Sequence, residues 1–126
     1  MEKVVIQTKE ASAPAGSYSQ AIKCGNFIFT AQIGPLDPET GKIIAPGDIA
    51  KQTRKTIENL KKILEAGGSS LNKVIKVTAY IDVSQWDTFN KIYSEYFSSE
   101  SLPARSIVAV SKDNEMLVAL DMIAYC

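Results

Sequence analysis

The sequence MLVALDMIAY at 116–125 decides the fold, because it is apolar on both faces when it is read as a β-strand. Its alternating side chains form a first face of Met116, Val118, Leu120 and Met122 and a second face of Leu117, Ala119 and Ile123. Asp121 interrupts the second face. Strands that are apolar on both sides are typically buried on both sides, so each face of this strand needs cover.

Upstream, the chain predicts a hairpin followed by a loop. The run NFIFTA at 26–31 is aromatic and β-branched, and Gly25 suits a tight turn between it and residues 20–24. Residues 34–47 then carry three prolines and three glycines, a density that interrupts regular structure and predicts consecutive turns.

Two helices are predicted from apolar periodicity. The first begins at Asp48, which can cap it, and ends at Gly67-Gly68. The second begins with a capping box formed by Ser84 and Asp87 and carries a continuous apolar stripe, which consists of Phe89, Ile92, Tyr93, Tyr96 and Phe97. We interpret Gly67-Gly68 as a helix stop, since no phosphate-binding pattern surrounds it.

Two more strands complete the pattern. Val74–Ile81 alternates, with Ile75, Val77, Ala79 and Ile81 on one side. The stretch 105–110 is predicted to pair with 116–125 through a turn at Lys112–Asn114. The order hairpin, helix, strand, helix, two strands indicates one α+β domain over residues 1–126, with a mixed sheet.

This topology leaves one face of the sheet bare. Crossovers between parallel strands are almost always right-handed, so two crossovers progressing in the same direction place both helices on one face. No chain remains to cover the other face, although the last strand is apolar there. Monomers rarely expose large apolar patches, so we expect a homo-oligomer.

Composition excludes several classes of function. The 126 residues hold 14 Lys plus Arg against 14 Asp plus Glu, and this zero net charge argues against nucleic acid or an anionic membrane as a partner. With no histidine, Ser-His-Asp and Cys-His mechanisms are impossible. Cys24 and Cys126 are too few for a disulfide framework or a thiolate metal site. Without a signal-like or membrane-spanning stretch, we expect a cytoplasmic protein.

Three polar residues are candidates for binding a small molecule. Arg105 offers a planar fork of donors that matches a carboxylate, although an ion pair with Asp or Glu is the alternative. Tyr18 lies among small residues in a loop, where its phenol could bind a ligand or have no role. Asn90 lies beside the apolar stripe of the second helix and could face a subunit boundary or solvent. For Asp121 we favour a structural ion pair over a functional acid.

Four motifs in order resemble the RidA family, also called the YjgF or L-PSP endoribonuclease family. They are APAGSYSQA at 13–21, AQIG at 31–34 with DPETG at 37–41, FNKIY at 89–93 with Tyr96-Phe97, and PARS at 103–106. The resemblance covers nearly the whole chain. It implies a chorismate-mutase-like α+β fold and a homotrimer with clefts between subunits.

The resemblance also implies an activity that needs no cofactor and no metal. Members of the archetypal subgroup hydrolyse enamines and imines such as 2-aminoacrylate and 2-iminobutanoate to 2-keto acids and ammonia. Carried onto this sequence, Arg105 binds the substrate carboxylate and acts in catalysis with Tyr18, and Asn90 completes the cleft. Backbone groups near Ala31 and Ile107 line the same pocket.

Three departures from the family pattern affect this implied function. Ala31 stands where the family has glycine, so a methyl group slightly obstructs a ligand. Ile107 replaces a smaller residue and should narrow the pocket. Ala119 replaces the glutamate that orients the attacking water, and Asp121 is two strand residues away. Two alternatives therefore stay open: a non-catalytic protein that binds 2-keto acids, and a ribonuclease or translation inhibitor.

Overall fold

Residues 1–98, 100–110 and 115–126 of the computed structural model form one mixed sheet with two helices on one face. The strands are β1 (Lys3–Ile6), β2 (Ala21–Cys24), β3 (Phe27–Thr30), β4 (Val74–Ile81), β5 (Ala104–Ala109) and β6 (Val118–Tyr125). The helices are α1 (Ile49–Ala66) and α2 (Trp86–Tyr96). One short 3₁₀ turn, Leu71–Lys73, lies between α1 and β4, and a second, Val83–Gln85, directly precedes α2. None of the helices in these ranges has the length and apolarity needed to cross a bilayer.

The strand order is β1-β2-β3-β6-β4-β5, so the last strand lies inside the sheet. β6 runs antiparallel to both β3 and β4, while β4 and β5 are parallel and joined through α2. The predicted α+β class with both helices on one face is confirmed. The predicted pairing of 105–110 with 116–125 is wrong, because β4 lies between β5 and β6 and pairs with both. The predicted turn at Lys112–Asn114 lies outside the described residues.

The sequence patterns missed β1 and misplaced one side chain. β1 is only four residues long and shows no polar–apolar alternation, since Val4, Val5 and Ile6 are all apolar although only Ile6 is buried. On β4, the predicted inward position of Ile75 is wrong, and this side chain is 41% exposed. A register shift between Val74 and Lys76 turns Val74 inward in its place, which is the usual effect of a β-bulge.

The core lies between the helices and one face of the sheet. Four residues of β6 are buried there, Val118, Leu120, Met122 and Ala124, and they face the buried side chains of α1, which include Ile57, Leu60, Ile63 and Leu64. Both helices pack on each other, and α1 packs on β6. Burial of these aliphatic side chains is the main stabilising contribution, at about 1.5 to 3 kcal/mol for each one fully buried.

The opposite side, which we call the open sheet face, carries one apolar row across four strands. Val5, Ile22, Phe29 and Ile123 are cross-strand neighbours in that row. Beside it, Phe27 pairs with Tyr125. Val5 is 56% exposed and Phe29 44% exposed, so the chain by itself leaves this face in water.

The helix starts agree only in part with the sequence. Asp48 caps α1, since its carboxylate accepts a hydrogen bond from the Lys51 backbone N–H at 3.1 Å. The capping box predicted for Ser84 and Asp87 is wrong. Asp82 instead accepts bonds from the N–H and hydroxyl of Ser84, at 3.1 and 2.8 Å, and stabilises the 3₁₀ turn before Trp86.

Two buried amides on α1 hold the long loop and the start of β6 in place. Gln52 donates through Nε2 to the carbonyls of Ile44, Ala45 and Glu115, and its Oε1 accepts from the Leu117 N–H at 2.8 Å. Asn59 donates to the carbonyls of Gly34 and Leu36. Loop carbonyls that would otherwise be unpaired inside the protein are thus satisfied by helix side chains.

Replacing Gln52 with leucine should strongly destabilise the fold. The change keeps an apolar stem but leaves the buried Leu117 N–H without a partner, which costs about 1 to 3 kcal/mol, and it also removes the hydrogen bonds that Gln52 donates to three carbonyls. We expect urea unfolding to give a free energy lower by about 2 to 4 kcal/mol. Lys51→Ala, at the exposed neighbouring position, should stay within about 0.5 kcal/mol. Equal stability of the two variants would contradict this account.

Candidate functional site

Arg105 and Asn90, which sequence motifs placed in one cleft, are in contact. Arg105 is near the start of β5 and lies opposite Val77 of β4, on the side of the sheet that carries the helices. Its Nη1 donates a hydrogen bond to Oδ1 of Asn90 on α2 at 3.0 Å. The alternative expectation was an ion pair for Arg105. Among the described residues its partner is instead a neutral amide, so the guanidinium keeps its charge available for an anion.

Two aromatic rings of α2 also contact the guanidinium. The Arg105 Cζ atom lies 4.6 Å from the ring centroid of Tyr93 and 5.1 Å from that of Trp86. Both distances fall inside the range of a cation–π interaction. Tyr93 in turn stacks on Phe97, with centroids 4.6 Å apart. Arg105 is therefore held against a row of rings along α2.

A cavity of about 420 Å³ opens beside Arg105. Its walls come from α2, through Asn90 and Tyr93, from Phe97 just after that helix, and from the segment before β5, through Leu102 and Pro103. This lining is mixed, with aromatic and aliphatic side chains beside Asn90, Ser94 and Arg105, and a concave site of this kind suits a small polar molecule. The one cation among these lining residues sets the charge preference, which is for an anion.

The hydroxyl of Tyr93 is buried and has no hydrogen-bond partner among the described residues. Burial raises the pKa of Tyr93 above its ordinary value, and the nearby positive charge of Arg105 acts in the opposite direction. The phenol is thus protonated at neutral pH. It contributes its ring to Arg105 and no charge to the site.

Tyr18 is far from Arg105 within one chain. It lies in the loop before β2, is 51% exposed, and accepts a hydrogen bond from the Ala15 N–H at 3.2 Å through its hydroxyl. Strands β3, β6 and β4 separate β2 from β5. At about 4.8 Å between neighbouring strands, the separation is roughly 19 Å. Tyr18 and Arg105 can therefore share a ligand only if they come from different copies of the chain.

The other two candidate pocket residues, Ile107 and Ala31, also lie in different parts of the molecule. Ile107 lies two residues after Arg105 on the same side of β5, partly buried against the core. Ala31 follows β3, and its N–H donates to the Gln20 carbonyl at 2.8 Å. Ile107 therefore belongs to the Arg105 side of the molecule, and Ala31 belongs with Tyr18 near β2 and β3.

The polar residues around Ala119 form a separate pair on the open sheet face. Asp121 accepts a hydrogen bond from the Tyr80 hydroxyl at 2.8 Å, and Tyr80 is the cross-strand neighbour of Ala119. The sequence favoured an ion pair for Asp121, whereas its partner among the described residues is a phenol. This hydrogen bond, followed by desolvation, raises the pKa of Tyr80.

Sequence reasoning gave no role to Trp86, Tyr93 or Tyr80, although each touches a candidate residue. For α2 a signal exists, because Trp86, Asn90, Tyr93 and Phe97 follow the helical spacing of one face. No such signal exists for Tyr80, whose contact with Asp121 depends on a strand pairing between distant segments. The described residues contain no cluster of three or more Cys, Asp or Glu side chains that could hold a metal ion.

Comparisons with known proteins identify the family and the fold. A profile of the family described as endoribonuclease L-PSP matches residues 8–126. A RutC family protein of Pyrococcus abyssi is 53% identical, over 99% of this chain and 98% of its own. Reactive Intermediate Deaminase A of Arabidopsis thaliana, a chloroplastic protein, is 38% identical over 88% of this chain and 59% of its own. A crystal structure of Escherichia coli TdcF with bound serine is 32% identical, covers 98% of both chains and has a TM-score of 0.87.

Replacing Asp121 with asparagine should lower the pKa of Tyr80 toward its ordinary value of about 10. In the wild type the raised pKa means that the unfolded chain loses the Tyr80 proton first as pH rises. The stability from this pair is therefore complete below pH ~10 and is lost as pH rises through the folded-state pKa. Tyrosinate absorbance against pH measures this, with Tyr80→Phe identifying the Tyr80 signal. An unchanged titration in Asp121→Asn would contradict the assignment.

Proposed function

The chain belongs to the endoribonuclease L-PSP family, and from that premise we propose that it hydrolyses small 2-imino and enamine acids to 2-keto acids and ammonia. The substrates are of the 2-aminoacrylate and 2-iminobutanoate class. The observation that carries the proposal is the Arg105–Asn90 pair beside a cavity of about 420 Å³. A guanidinium at a cavity with both polar and apolar lining suits a small molecule with a carboxylate at one end.

The proposed reaction needs few catalytic groups from the protein. Water adds to the carbon of the C=N bond, the resulting amino alcohol loses ammonia, and a keto group remains; an enamine first gains a proton on carbon to become the imine. The C=N carbon is already electrophilic, so orientation and exclusion of bulk water supply much of the rate. In this scheme Arg105 binds the carboxylate, Asn90 orients Arg105, and Tyr18 contacts the substrate.

We place the site in a cleft between copies of the chain, as a homotrimer. The apolar row of Val5, Ile22, Phe29 and Ile123 supports assembly, because this much apolar surface is costly to leave in water. The separation of Tyr18 from Arg105 supports it independently, since a second copy is needed to complete the pocket. Ala31 near Tyr18 and Ile107 near Arg105 then approach the ligand from opposite sides.

A second candidate function is binding of a small carboxylate without turnover. Ala119 favours it, because a methyl group cannot orient a water molecule, and the nearby Asp121 already accepts the Tyr80 hydroxyl. The serine in the TdcF structure also supports a carboxylate ligand, since serine carries one. Ribonuclease activity, which the family's name suggests, has less support, because the chain has zero net charge and no histidine.

Replacing Arg105 with alanine should strongly weaken recognition of the substrate. We expect kcat/KM for 2-iminobutanoate, generated in the assay, to fall on the order of 100-fold, because the carboxylate loses its charged partner. Arg105→Lys should also lose most of the activity, since an ammonium lacks the planar fork. Ammonia release measures turnover, and calorimetry with 2-ketobutyrate measures binding.

Arg54→Ala is the matched control, because Arg54 is an exposed arginine paired with Glu95 on the helix surface. It should keep wild-type turnover. Equal activity of Arg105→Ala and Arg54→Ala would contradict the proposed role of Arg105. Binding of 2-ketobutyrate by a wild type that releases no ammonia would favour the second candidate function.

A further inference from the structure

We propose that Trp86 and Tyr93, which we call the aromatic cradle, position the Arg105 guanidinium for the carboxylate. The inference rests on the proposed function and adds two positioning residues to it. Both rings lie within 5.1 Å of the Arg105 Cζ atom. Neither ring needs to touch the substrate in order to act.

The geometry explains why Arg105 needs such support. It projects from β5, an edge strand, and an arginine side chain loses substantial rotamer freedom when it is held in one orientation. Its hydrogen bond to Asn90 restrains only Nη1. Contacts with the two aromatic rings add a second restraint on the group, and a cation–π contact does not in itself consume an N–H donor.

The cradle therefore leaves hydrogen-bonding capacity for a ligand. A guanidinium has five N–H donors at its edge, and a bidentate carboxylate takes two of them. Asn90 Oδ1 takes one from Nη1. Among the described residues Arg105 forms no ion pair, so a carboxylate need not displace one of these side chains in order to bind.

The cradle is itself anchored. Tyr93 is 6% exposed and stacks on Phe97, and Phe89, which is completely buried, lies between Trp86 and Tyr93 in the same row of rings. Trp86 begins α2 directly after the turn that Asp82 stabilises. Because core packing holds the two rings in place, their contacts restrict the orientation of the Arg105 side chain.

Four variants separate the ring contacts from other roles of these residues. Trp86→Leu and Tyr93→Leu remove the aromatic faces, and we expect 2-ketobutyrate to bind 5- to 30-fold more weakly, as judged from ordinary cation–π contacts. Trp86→Phe and Tyr93→Phe keep the faces and should bind within about threefold of the wild type. In turnover, the leucine variants should raise KM more than they lower kcat, because the carboxylate contact already exists in the bound substrate.

Trp86 also gives a spectroscopic readout, since it is the single tryptophan of the chain. Binding of 2-ketobutyrate at Arg105 should change its fluorescence, and the change should be absent in Arg105→Ala. A tryptophan with a purely structural role would show no ligand-dependent change. Tyr96→Leu removes another aromatic ring from α2 and controls for general loss of packing, with affinity expected to stay at the wild-type value.

The possible failures can be told apart. If the wild type binds 2-ketobutyrate, but the leucine variants bind it equally well below their melting temperatures, the cradle is overturned and the proposed function stands. Failure of the phenylalanine variants to restore affinity would also overturn the cradle, because they keep the ring faces. If the folded wild type neither binds 2-ketobutyrate nor releases ammonia, the proposed function is wrong, and the role of the cradle, which rests on it, is wrong as well.

Discussion

The central position of β6 is the constraint on which the rest of the structure depends. Its inward side chains, among them Leu120 and Met122, are buried by the helices, while Ile123 and Tyr125 lie on the open sheet face. Both helix-containing connections pack on the same side, so no helix or strand of the described residues covers the other. Apolar surface of this extent favours association with a second apolar surface, and the simplest source is another copy of the chain.

The same strand order divides the candidate pocket into two halves. Arg105, Asn90 and Ile107 lie at the β5 end of the sheet, while Tyr18 and Ala31 lie near β2 and β3. In our proposal, one assembly both buries the open sheet face and brings these halves together. Assembly and activity then depend on the same contacts, and a chain that stays monomeric would have the arginine without the tyrosine.

Local patterns in the sequence predicted most of the fold, and long-range pairing explains what they missed. The apolar periodicity of α1 and the alternation of β6 are strong because each buries a continuous face. Ile75 was placed wrongly because the bulge beside it arises from pairing with β6, which follows some forty residues later. The α2 cap was wrong because the Ser84 hydroxyl donates to Asp82 and so does not cap the helix. Arg105 and Asn90 could be paired only through family motifs, since their contact joins a helix to a strand.

The most direct test of the shared cleft is complementation between two inactive variants, Arg105→Ala and Tyr18→Ala. A subunit that lacks Tyr18 still supplies Arg105, and a subunit that lacks Arg105 still supplies Tyr18. Dissociating the two variants, mixing them in equal amounts and reassembling them should restore about a quarter of the wild-type ammonia release, because about a quarter of the clefts regain both residues. If the reassembled mixture is as inactive as either variant alone, the two residues do not meet across subunits, and the account of the site is wrong.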